Sequence, residues 1–320
     1  MATGVLIADA LPEDKIAALK ALDCEVTVDG SLKDEALLEK LKESKPVIVI
    51  VRSTKVTAEM IAADPELKLI IRAGAGVNTI AVDDAAKAGV KVANCPGKNA
   101  VAVAELAFGL LISLDRNIPD NVADLRAGKW DKAKYSKADG IYGKTAGIVG
   151  VGQIGKEFIK RAQAFGMDVI AWSRSLTPEK AKELGVTFAE KPADVAKSAD
   201  VVSVHLALTP DTKELIDASF FGEMKSGAFF INTSRAEVVD EAALAAAIKD
   251  KGIRAGLDVF SGEPGAKSGP IEGDLIANPG VYGTHHIGAS TTQAQDAVAD
   301  ETIEIVKEFV ASGNVRNAVN

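Results

Sequence analysis

Four side chains in the second half of the chain have the types that acid–base chemistry on a small organic acid requires. They are Arg235, Glu263 and the adjacent pair His285 and His286. Oxidation of an alcohol with a nicotinamide needs a base for the hydroxyl proton, and imidazole titrates near neutral pH. A carboxylate bonded to the other ring nitrogen favours the imidazolium that carbonyl reduction needs. A guanidinium holds the carboxylate of a 2-oxo or 2-hydroxy acid, because its planar fork is always charged.

Taken alone, each of these residues has a more ordinary interpretation. An arginine is often a surface ion-pair partner, a glutamate before proline is usually a solvated loop residue, and a lone histidine is usually structural. Their shared position argues for chemistry, because they lie at or just beyond the ends of predicted strands. In a doubly wound sheet, ligands bind beyond the carboxyl ends of the strands. We therefore expect these groups to face one ligand.

A glycine-rich segment, residues 150–155 (GVGQIG), marks a second chemical feature. An apolar run at 146–149 precedes it, residues 156–165 repeat apolar side chains at helical spacing, and a second apolar run occupies 168–172. A glycine pattern alone is a weak signal. The order strand, glycine turn, helix, strand is typical of a dinucleotide-binding unit.

Each glycine of this segment has a separate role in that interpretation. Gly150 permits the tight turn, Gly152 lets the backbone approach a pyrophosphate, and Gly155 lets the helix pack close to the strand. The start of the helix then offers unpaired N–H groups and the positive end of its dipole to the phosphates. The sequence therefore predicts a dinucleotide site here.

Alternating strands and helices form the predicted framework that positions these groups. In the first part of the chain, strands are predicted at 5–8, 25–28, 47–51, 67–71 and 90–93, with helices between them. The run VIVIV at 47–51 is apolar throughout, as in a strand buried on both faces of a parallel sheet. This part is therefore predicted to be an open parallel α/β sheet.

The second part of the chain begins with a long helix at 99–114. This helix is apolar on nearly all sides, which predicts deep burial. Residues 117–143 are polar and are interpreted as a helix followed by an excursion. Beyond the glycine-rich unit, further strands are predicted at 201–206, 229–232, 253–259 and 281–283. The last helix, 291–310, is left over after the second sheet, so we expect it to pack on the first.

Composition argues against several classes of function. With 37 basic and 45 acidic residues the net charge is −8, which disfavours a nucleic-acid surface. No apolar run approaches the roughly 18 residues of a membrane span, and no basic leader precedes the first strand. Cys24 and Cys95 show no metal-ligand spacing, so no metal site is predicted, and two cysteines fit a reducing compartment. We therefore expect a cytoplasmic protein.

Seven segments in a fixed order make the chain similar to a known family. It resembles the D-isomer-specific 2-hydroxyacid dehydrogenases over almost its whole length, and within them it most resembles the phosphoglycerate dehydrogenases. The matching segments are 51–61 (VRSTKVTAEMI), 72–80 (RAGAGVNTI), 99–111 (NAVAVAELAFGLL), 143–155 (GKTAGIVGVGQIG), 231–244 (INTSRAEVVDEAAL), 256–264 (GLDVFSGEP) and 286–295 (HIGASTTQAQ).

The resemblance implies an α/β fold of two domains: a Rossmann doubly wound parallel sheet and a smaller flavodoxin-like substrate domain. The NAD(P)-binding domain is then predicted at 99–286 and the substrate domain at 1–98 and 287–320. A helix-mediated homodimer and a cleft-closing motion are implied as well. Longer phosphoglycerate dehydrogenases carry C-terminal regulatory domains, which this chain is expected to lack, together with serine feedback.

The same resemblance assigns roles to individual residues. His286 is implied as the acid/base, because the HIGAS register selects it over His285, with Glu263 as its partner and Arg235 as the substrate anchor. The implied cofactor contacts are Gly150, Gly152, Gln153, Ile154, Gly155, Ser173, Arg174, Thr233, Ser234, Asp258, His286 and Gly288. The implied substrate contacts are Arg52, Ser53, Arg72, Gly74, Ala75, Gly76, Arg235 and His286.

The resemblance also favours one substrate pair, 3-phosphoglycerate and 3-phosphooxypyruvate, the couple of serine biosynthesis. Arg52 and Arg72 are interpreted as contacts of the substrate phosphate, with Lys132 or Lys134 added from a partner subunit. In the alternative interpretation, both arginines only pair with acids at strand ends. A glyoxylate/hydroxypyruvate reductase is the second hypothesis, supported by the segment 172–175 (WSRS). A dinucleotide-sensing, corepressor-like binding protein is a remote third.

The end of the second strand of the glycine-rich unit departs from the pattern of NAD-dependent enzymes. An acidic residue usually binds the ribose hydroxyls at this position. The chain has Ser173 there, followed by Arg174. A hydroxyl and a guanidinium suit a 2′-phosphate, and no neighbouring acid repels it. The cofactor is therefore predicted to be NAD(P)(H), leaning to NADP(H); NAD(H) is the alternative if Arg174 only stacks on the adenine.

Overall fold

A computed structural model describes residues 2–264 and 268–320 of the chain. The chain divides into two compact units. The first combines Met1–Asn99 with Ser290–Asn320, and the second is Ala100–Ala289. No helix in the described part of the chain is long and apolar enough to cross a bilayer.

The first unit is built on a parallel sheet of five strands in the order β2-β1-β3-β4-β5. The strands are β1 (Thr3–Ile7), β2 (Cys24–Val28), β3 (Ile48–Val51), β4 (Leu69–Arg72) and β5 (Lys91–Asn94). The helices between them are α1 (Glu13–Lys20), α2 (Asp34–Ser44), α3 (Ala58–Ala63) and α4 (Val82–Lys87). Every residue of β3 is buried, because helices cover both faces of the sheet.

The second unit is a parallel sheet of seven strands in the order β12-β11-β10-β9-β6-β7-β8. Its strands are β6 (Thr145–Val149), β7 (Asp168–Trp172), β8 (Thr187–Phe188), β9 (Val201–Val204), β10 (Phe229–Asn232), β11 (Arg254–Leu257) and β12 (Val281–Gly283). Its helices are α5 (Ala100–Arg116), α6 (Ile118–Arg126), α7 (Gln153–Ala164), α8 (Pro178–Glu183), α9 (Pro192–Ser198), α10 (Ala218–Glu223) and α11 (Glu241–Lys251).

These strand orders confirm the predicted fold class. The seven-stranded sheet has the doubly wound Rossmann order, and the five-stranded sheet has the flavodoxin-like order. In the second unit, β6 pairs with both β7 and β9, so the chain reverses its direction of winding beside β6. Ligands bind at such a switch point in open α/β sheets.

The final helix, α12 (Thr292–Ser312), belongs to the first unit. Its Ile305 and Val306 are fully buried in a core that also contains Leu19 of α1 and one face of the five-stranded sheet. The opposite face packs on α2 and α3. The first sheet is therefore covered on one side by a segment from the far end of the chain.

The sequence analysis does not predict α8 or β8. The strand β8 has only two residues and pairs with β7 at the edge of the sheet. Two residues carry no detectable periodicity, so only pairing in space defines this strand. The polar stretch after α5 begins with α6, as the predicted helix and excursion require.

A buried carboxylate connects β1 to the segment that follows β3. Oδ2 of Asp9 accepts hydrogen bonds from the main-chain N–H groups of Arg52, Ser53 and Thr54, at 2.7, 3.0 and 3.0 Å. Oδ1 accepts the Ser53 hydroxyl at 3.1 Å. Burial opposes ionisation of Asp9, but these hydrogen bonds outweigh it and hold its pKa below the ordinary value.

We expect Asp9→Ala to lower the free energy of unfolding by about 2 kcal/mol, because three main-chain N–H groups lose their acceptor. The folded pKa of Asp9 is depressed, so its contribution is present above pH ~4 and is lost as the pH falls through the folded value. Denaturant unfolding at pH 7 and pH 3 measures both effects. The matched control is exposed Asp296→Ala, expected within about 0.5 kcal/mol. An equal loss of unfolding free energy in both variants would contradict this role of the Asp9 hydrogen bonds.

The turn between β6 and α7 depends on glycines that have different surroundings. Gly150 has φ +104°, and a Cβ there would collide with the carbonyl of His205. A Cβ on Gly155 would collide with the carbonyl oxygen of Gly150. Apart from Gly152 itself and its two chain neighbours, no described atom lies within 4 Å of the place where a Cβ of Gly152 would stand. Two of the glycines therefore serve packing, and the third keeps space open above the turn.

Gly155→Ala and Gly152→Ala separate these two roles. We expect Gly155→Ala to lower the free energy of unfolding by about 1–3 kcal/mol, because α7 must move away from β6. Gly152→Ala has room for its methyl group and keeps the unfolding free energy within about 0.5 kcal/mol. If the predicted dinucleotide binds here, we expect Gly152→Ala to bind it more weakly than the wild type, because the methyl group occupies the space that a pyrophosphate needs. Denaturant unfolding and titration calorimetry measure the two quantities; equal destabilisation of both variants contradicts the assignment.

Candidate active site

The candidate acid–base pair lies beyond the carboxyl end of β12. Nδ1 of His286 is 2.7 Å from Oε2 of Glu263, and the other carboxylate oxygen accepts the main-chain N–H of Phe260 at 2.9 Å. About half of the His286 side chain is exposed. The pairing of Nδ1 with the carboxylate leaves Nε2 available for a ligand.

The environment of Glu263 favours its ionised form. Burial opposes the charge, but the hydrogen bonds from His286 and from the Phe260 N–H outweigh burial, and Arg235 adds a favourable charge. The pKa of Glu263 therefore lies below its ordinary value. An ionised Glu263 fixes the ring orientation of His286 and balances the positive charge of its protonated form.

A second carboxylate, Asp258, holds the backbone that carries His286. Asp258 is 1% exposed and follows β11. Its Oδ1 accepts the Thr284 hydroxyl at 2.6 Å and the Ile287 N–H at 2.8 Å, and its Oδ2 accepts the Gly288 N–H at 2.8 Å. These bonds hold residues on both sides of His286 in the sequence. The φ of His286, +51°, is unusual for a residue with a side chain.

The hydrogen bonds of Asp258 give Asp258 and Gly288 a structural role, in addition to the cofactor contacts that are predicted for them. A Cβ on Gly288 would come within 3.0 Å of Oδ2 of Asp258 and 3.3 Å of Val103. Glycine is therefore needed for the close approach of this backbone to the carboxylate. Both residues position the histidine loop in the structure.

Arg235 follows β10 in a turn that Asn232 organises. The amide group of Asn232 donates to the carbonyl of Arg235 at 2.9 Å and accepts from the N–H and hydroxyl of Ser234 at 2.9 and 2.7 Å. The guanidinium of Arg235 donates to the carbonyl of Ser234 at 2.6 Å. No role is predicted for Asn232 from the sequence, although it stands at the end of a predicted strand.

The residues predicted to hold a dinucleotide present the surfaces that such a ligand requires. The first turn of α7 contains no acidic side chain, and its N-cap, Gly152, supplies no capping group. Gln153 is exposed and Ile154 is half-buried at this helix start. The Thr233 hydroxyl is buried and makes no hydrogen bond within the described part of the chain. An open cradle, uncapped N–H groups and a buried hydroxyl without a partner fit a dinucleotide.

The end of β7 carries Ser173 and Arg174, the predicted contacts of the adenosine ribose. Ser173 is half-buried and Arg174 is exposed. The Nη1 atom of Arg174 lies 3.3 Å from Oδ2 of Asp211, which is in the segment after β9. The sequence analysis finds no acid beside Ser173 and misses Asp211, because 37 residues separate it from Arg174.

The predicted substrate contacts of the first unit lie after β3 and β4. Ser53 uses its hydroxyl and its N–H on Asp9, as described above. Gly74 donates its N–H to the carbonyl of Arg72 at 2.7 Å, and a Cβ on Gly74 would collide with the Arg72 guanidinium. Ala75 accepts a hydrogen bond from the Asn94 amide. Ala75 and Gly76 are half-buried.

Of the three histidines in the chain, His205 has a different environment from His286. Burial lowers the pKa of His205 to about 3, so its ring is neutral near pH 7. Its Nε2 lies 3.0 Å from the Ser203 hydroxyl, and the ring packs on Phe158 at 5.4 Å between centroids. The burial of this ring and its packing on Phe158 are those of a structural histidine.

Comparisons with known proteins identify the family of the chain. The family model described as D-isomer specific 2-hydroxyacid dehydrogenase, NAD binding domain, matches residues 108–288. A D-3-phosphoglycerate dehydrogenase of Methanocaldococcus jannaschii is 39% identical over 99% of this chain and 59% of its own length. A hydroxypyruvate reductase of Thermotoga maritima is 41% identical over 90% of this chain and 92% of its own.

A solved structure of NAD⁺-bound 3-phosphoglycerate dehydrogenase from Entamoeba histolytica is also similar. It has a TM-score of 0.83 and 25% identity, and the match covers 100% of this chain and 99% of that one. The chain spans about three-fifths of the length of the curated phosphoglycerate dehydrogenases that it matches. The family model covers more than half of the chain, and the relatives match it nearly end to end. The chain therefore belongs to the D-isomer specific 2-hydroxyacid dehydrogenase family.

Proposed function

We propose that the protein is an NAD(P)-dependent oxidoreductase that interconverts a D-2-hydroxy acid and its 2-oxo acid. The observation that carries this proposal is the pair of His286 and Glu263, whose Nδ1 and Oε2 atoms are 2.7 Å apart. The same unit contains the glycine turn at residues 150–155, which is open above Gly152. A histidine with an ionised partner performs reversible proton transfer to an alcohol oxygen. Family membership supports the same chemistry.

In the proposed mechanism, His286 moves the proton and Glu263 balances the charge. A nicotinamide dinucleotide held by the glycine turn and by Thr233 and Ser234 would supply the hydride acceptor for oxidation and the hydride donor for reduction. Nε2 of His286 takes the hydroxyl proton during oxidation and returns it to the carbonyl oxygen during reduction. Arg235 binds the substrate carboxylate and the adjacent oxygen, which aligns the reacting carbon.

For the first unit, we propose that the backbone of residues 74–76 binds the substrate carboxylate. Arg52 and Arg72 stand at the carboxyl ends of β3 and β4, and we propose that they contact a substrate phosphate. The proposed pair is 3-phosphoglycerate and 3-phosphooxypyruvate, which would place the enzyme in cytoplasmic serine biosynthesis. The names of the relatives that match 99% of the chain support this choice.

A hydroxypyruvate or glyoxylate reductase is the second candidate. The Thermotoga maritima relative is named hydroxypyruvate reductase, and it matches this chain over most of both lengths. Ser173 and Arg174 at the end of β7 favour NADP(H), as in the reductases that the segment resembles. We propose that both cofactors are used, with Arg174 as the contact that admits the 2′-phosphate.

Initial rates with 3-phosphooxypyruvate, hydroxypyruvate and glyoxylate, each with NADH and NADPH, test the substrate and the cofactor together. We expect the highest kcat/KM for the phosphorylated substrate. A preference for either small oxo acid would assign Arg52 and Arg72 to structural ion pairing and would select the second candidate. Cofactor binding without turnover on all three substrates would instead support a dinucleotide-sensing binding protein.

His286→Ala is expected to lower kcat by about a hundredfold or more with NAD⁺ affinity unchanged, because proton transfer is lost while the cradle remains. His285→Ala, one position away, is the control and should retain activity. In Glu263→Gln, we expect a lower kcat than in the wild type, because Nδ1 of His286 loses its ionised hydrogen-bond partner. Steady-state kinetics from pH 5 to 9 measure all three variants. Unchanged turnover in His286→Ala would remove this mechanism.

We also propose a homodimer formed through the surface around α6. Ile118, Val122 and Leu125 are exposed on one face of α6, and Trp130 is 82% exposed nearby in the sequence. Apolar side chains grouped in this way are typical of surfaces that another protein covers. A second copy of the chain is the occupant that the family resemblance implies.

Light scattering is expected to report a dimer for the wild type and a monomer for Leu125→Glu, because a charge on this face would be buried without a partner. Ala123→Glu is the matched control: Ala123 is exposed on the other side of α6, and its variant should remain dimeric. A monomeric wild type would refute the dimer, and loss of the dimer in both variants would refute this surface.

A further inference from the structure

Arg174 at the end of β7 forms an ion pair with Asp211, a residue outside the motifs that the sequence analysis identified. We propose that Asp211 sets the selectivity between NAD(H) and NADP(H), by holding Arg174 and by repelling a 2′-phosphate. The inference rests on the proposed dinucleotide-dependent function. It concerns Nη1 of Arg174 and Oδ2 of Asp211, which are 3.3 Å apart.

The location of the pair follows from the register of the sheet. Val149 of β6 is paired with Trp172 of β7, and the N–H of Gly150 donates to the carbonyl of Trp172 at 2.8 Å. The glycine turn and the end of β7 are therefore adjacent. In this fold the pyrophosphate binds at the helix start and the adenosine ribose lies over the end of the second strand. Ser173 and Arg174 are the residues that meet the ribose.

The position of Asp211 is determined by a buried hydroxyl in its own turn. Thr212 is 6% exposed. Its Oγ1 accepts the N–H of Thr209 at 2.8 Å and donates to the carbonyl of Ala207 at 2.6 Å. The turn that presents the Asp211 carboxylate to Arg174 is therefore tied to the segment that follows β9. Asp211 supplies, from another element, the negative charge that NAD-dependent members of this fold usually carry at the end of the second strand.

The two cofactors respond differently to this pair. Arg174 and Asp211 have opposite single charges, so together they present no net charge to a 2′-hydroxyl. A 2′-phosphate attracts Arg174, but it must compete with Asp211 for the guanidinium and stand close to a like charge. Both side chains are more than two-thirds exposed, so their attraction is weak and Arg174 can turn to a phosphate. The pair therefore allows NADP(H) to bind, but it limits the gain in affinity that Arg174 alone would give NADP(H) over NAD(H).

Titration calorimetry with NAD⁺ and NADP⁺ tests this inference without turnover. We expect Asp211→Asn, which keeps the shape and removes the charge, to bind NADP⁺ about five- to tenfold more tightly than the wild type, while NAD⁺ affinity changes less than about twofold. Exposed Asp250→Asn on α11 is the control and should change neither affinity. The gain should shrink at high salt, because the charges are exposed.

Arg174→Ala completes the test. In that background we expect Asp211→Asn to give a smaller gain for NADP⁺, because the competition for the guanidinium is gone. Unchanged NADP⁺ affinity in Asp211→Asn, or an equal loss for both cofactors, would overturn the inference and leave the proposed function intact. A wild type that binds neither cofactor would overturn the proposed function itself.

Discussion

The approach of α7 to the end of β6 is the contact on which the second unit depends. It is possible only because Gly155 has no side chain to strike the carbonyl of Gly150. That contact directs the uncapped start of α7 to the carboxyl edge of the sheet. The helix dipole and the free N–H groups then face the edge at which β10, β11 and β12 also end. The absence of a side chain at Gly155 thus places the positive end of the α7 dipole where it can bind a phosphate.

Buried carboxylates organise loops in both units by the same physical means. Asp9 accepts the N–H groups of the segment after β3, and Asp258 accepts those of the loop that carries His286. A buried carboxylate has a high desolvation cost, and several short hydrogen bonds offset it. Such a residue specifies one loop conformation, because any other conformation leaves the charge without donors. In this protein the reactive His286 is exposed while the residue that positions it is buried.

Positive charges are concentrated at the proposed ligand sites, although the protein as a whole is negatively charged. The chain has a net charge of −8, yet the proposed ligands are anions. Arg235, Arg174 and the helix start of α7 supply positive potential at separate points of one sheet edge. Asp211 reduces that potential at a single point, beside the proposed ribose site. The proposed cofactor selectivity thus depends on a small difference between opposing charges, whereas binding of the pyrophosphate depends on the backbone.

The sequence by itself determined the fold class, the glycine turn and the family, because each is encoded by neighbouring residues. Apolar runs identify buried strands, helical periodicity identifies the covering helices, and glycines at fixed spacing identify the turn. The motifs around His286, Glu263 and Arg235 were also recognisable, and their proposed roles follow from residue type together with the family resemblance. The two-residue strand β8 and the helix α8 were not predicted, since so short a strand exists only through pairing with β7.

Only the tertiary structure decided which distant side chains meet. Asp9 lies 43 residues from Arg52, Asp258 lies 30 residues from Gly288, and Asp211 lies 37 residues from Arg174. No local pattern encodes these pairs, because the two partners of each pair follow different strands, and the ends of those strands come together only when the sheet forms. Sequence reasoning could name Ser173 and Arg174 as a phosphate site, but the balancing charge of Asp211 arises from the order of strands in the folded sheet.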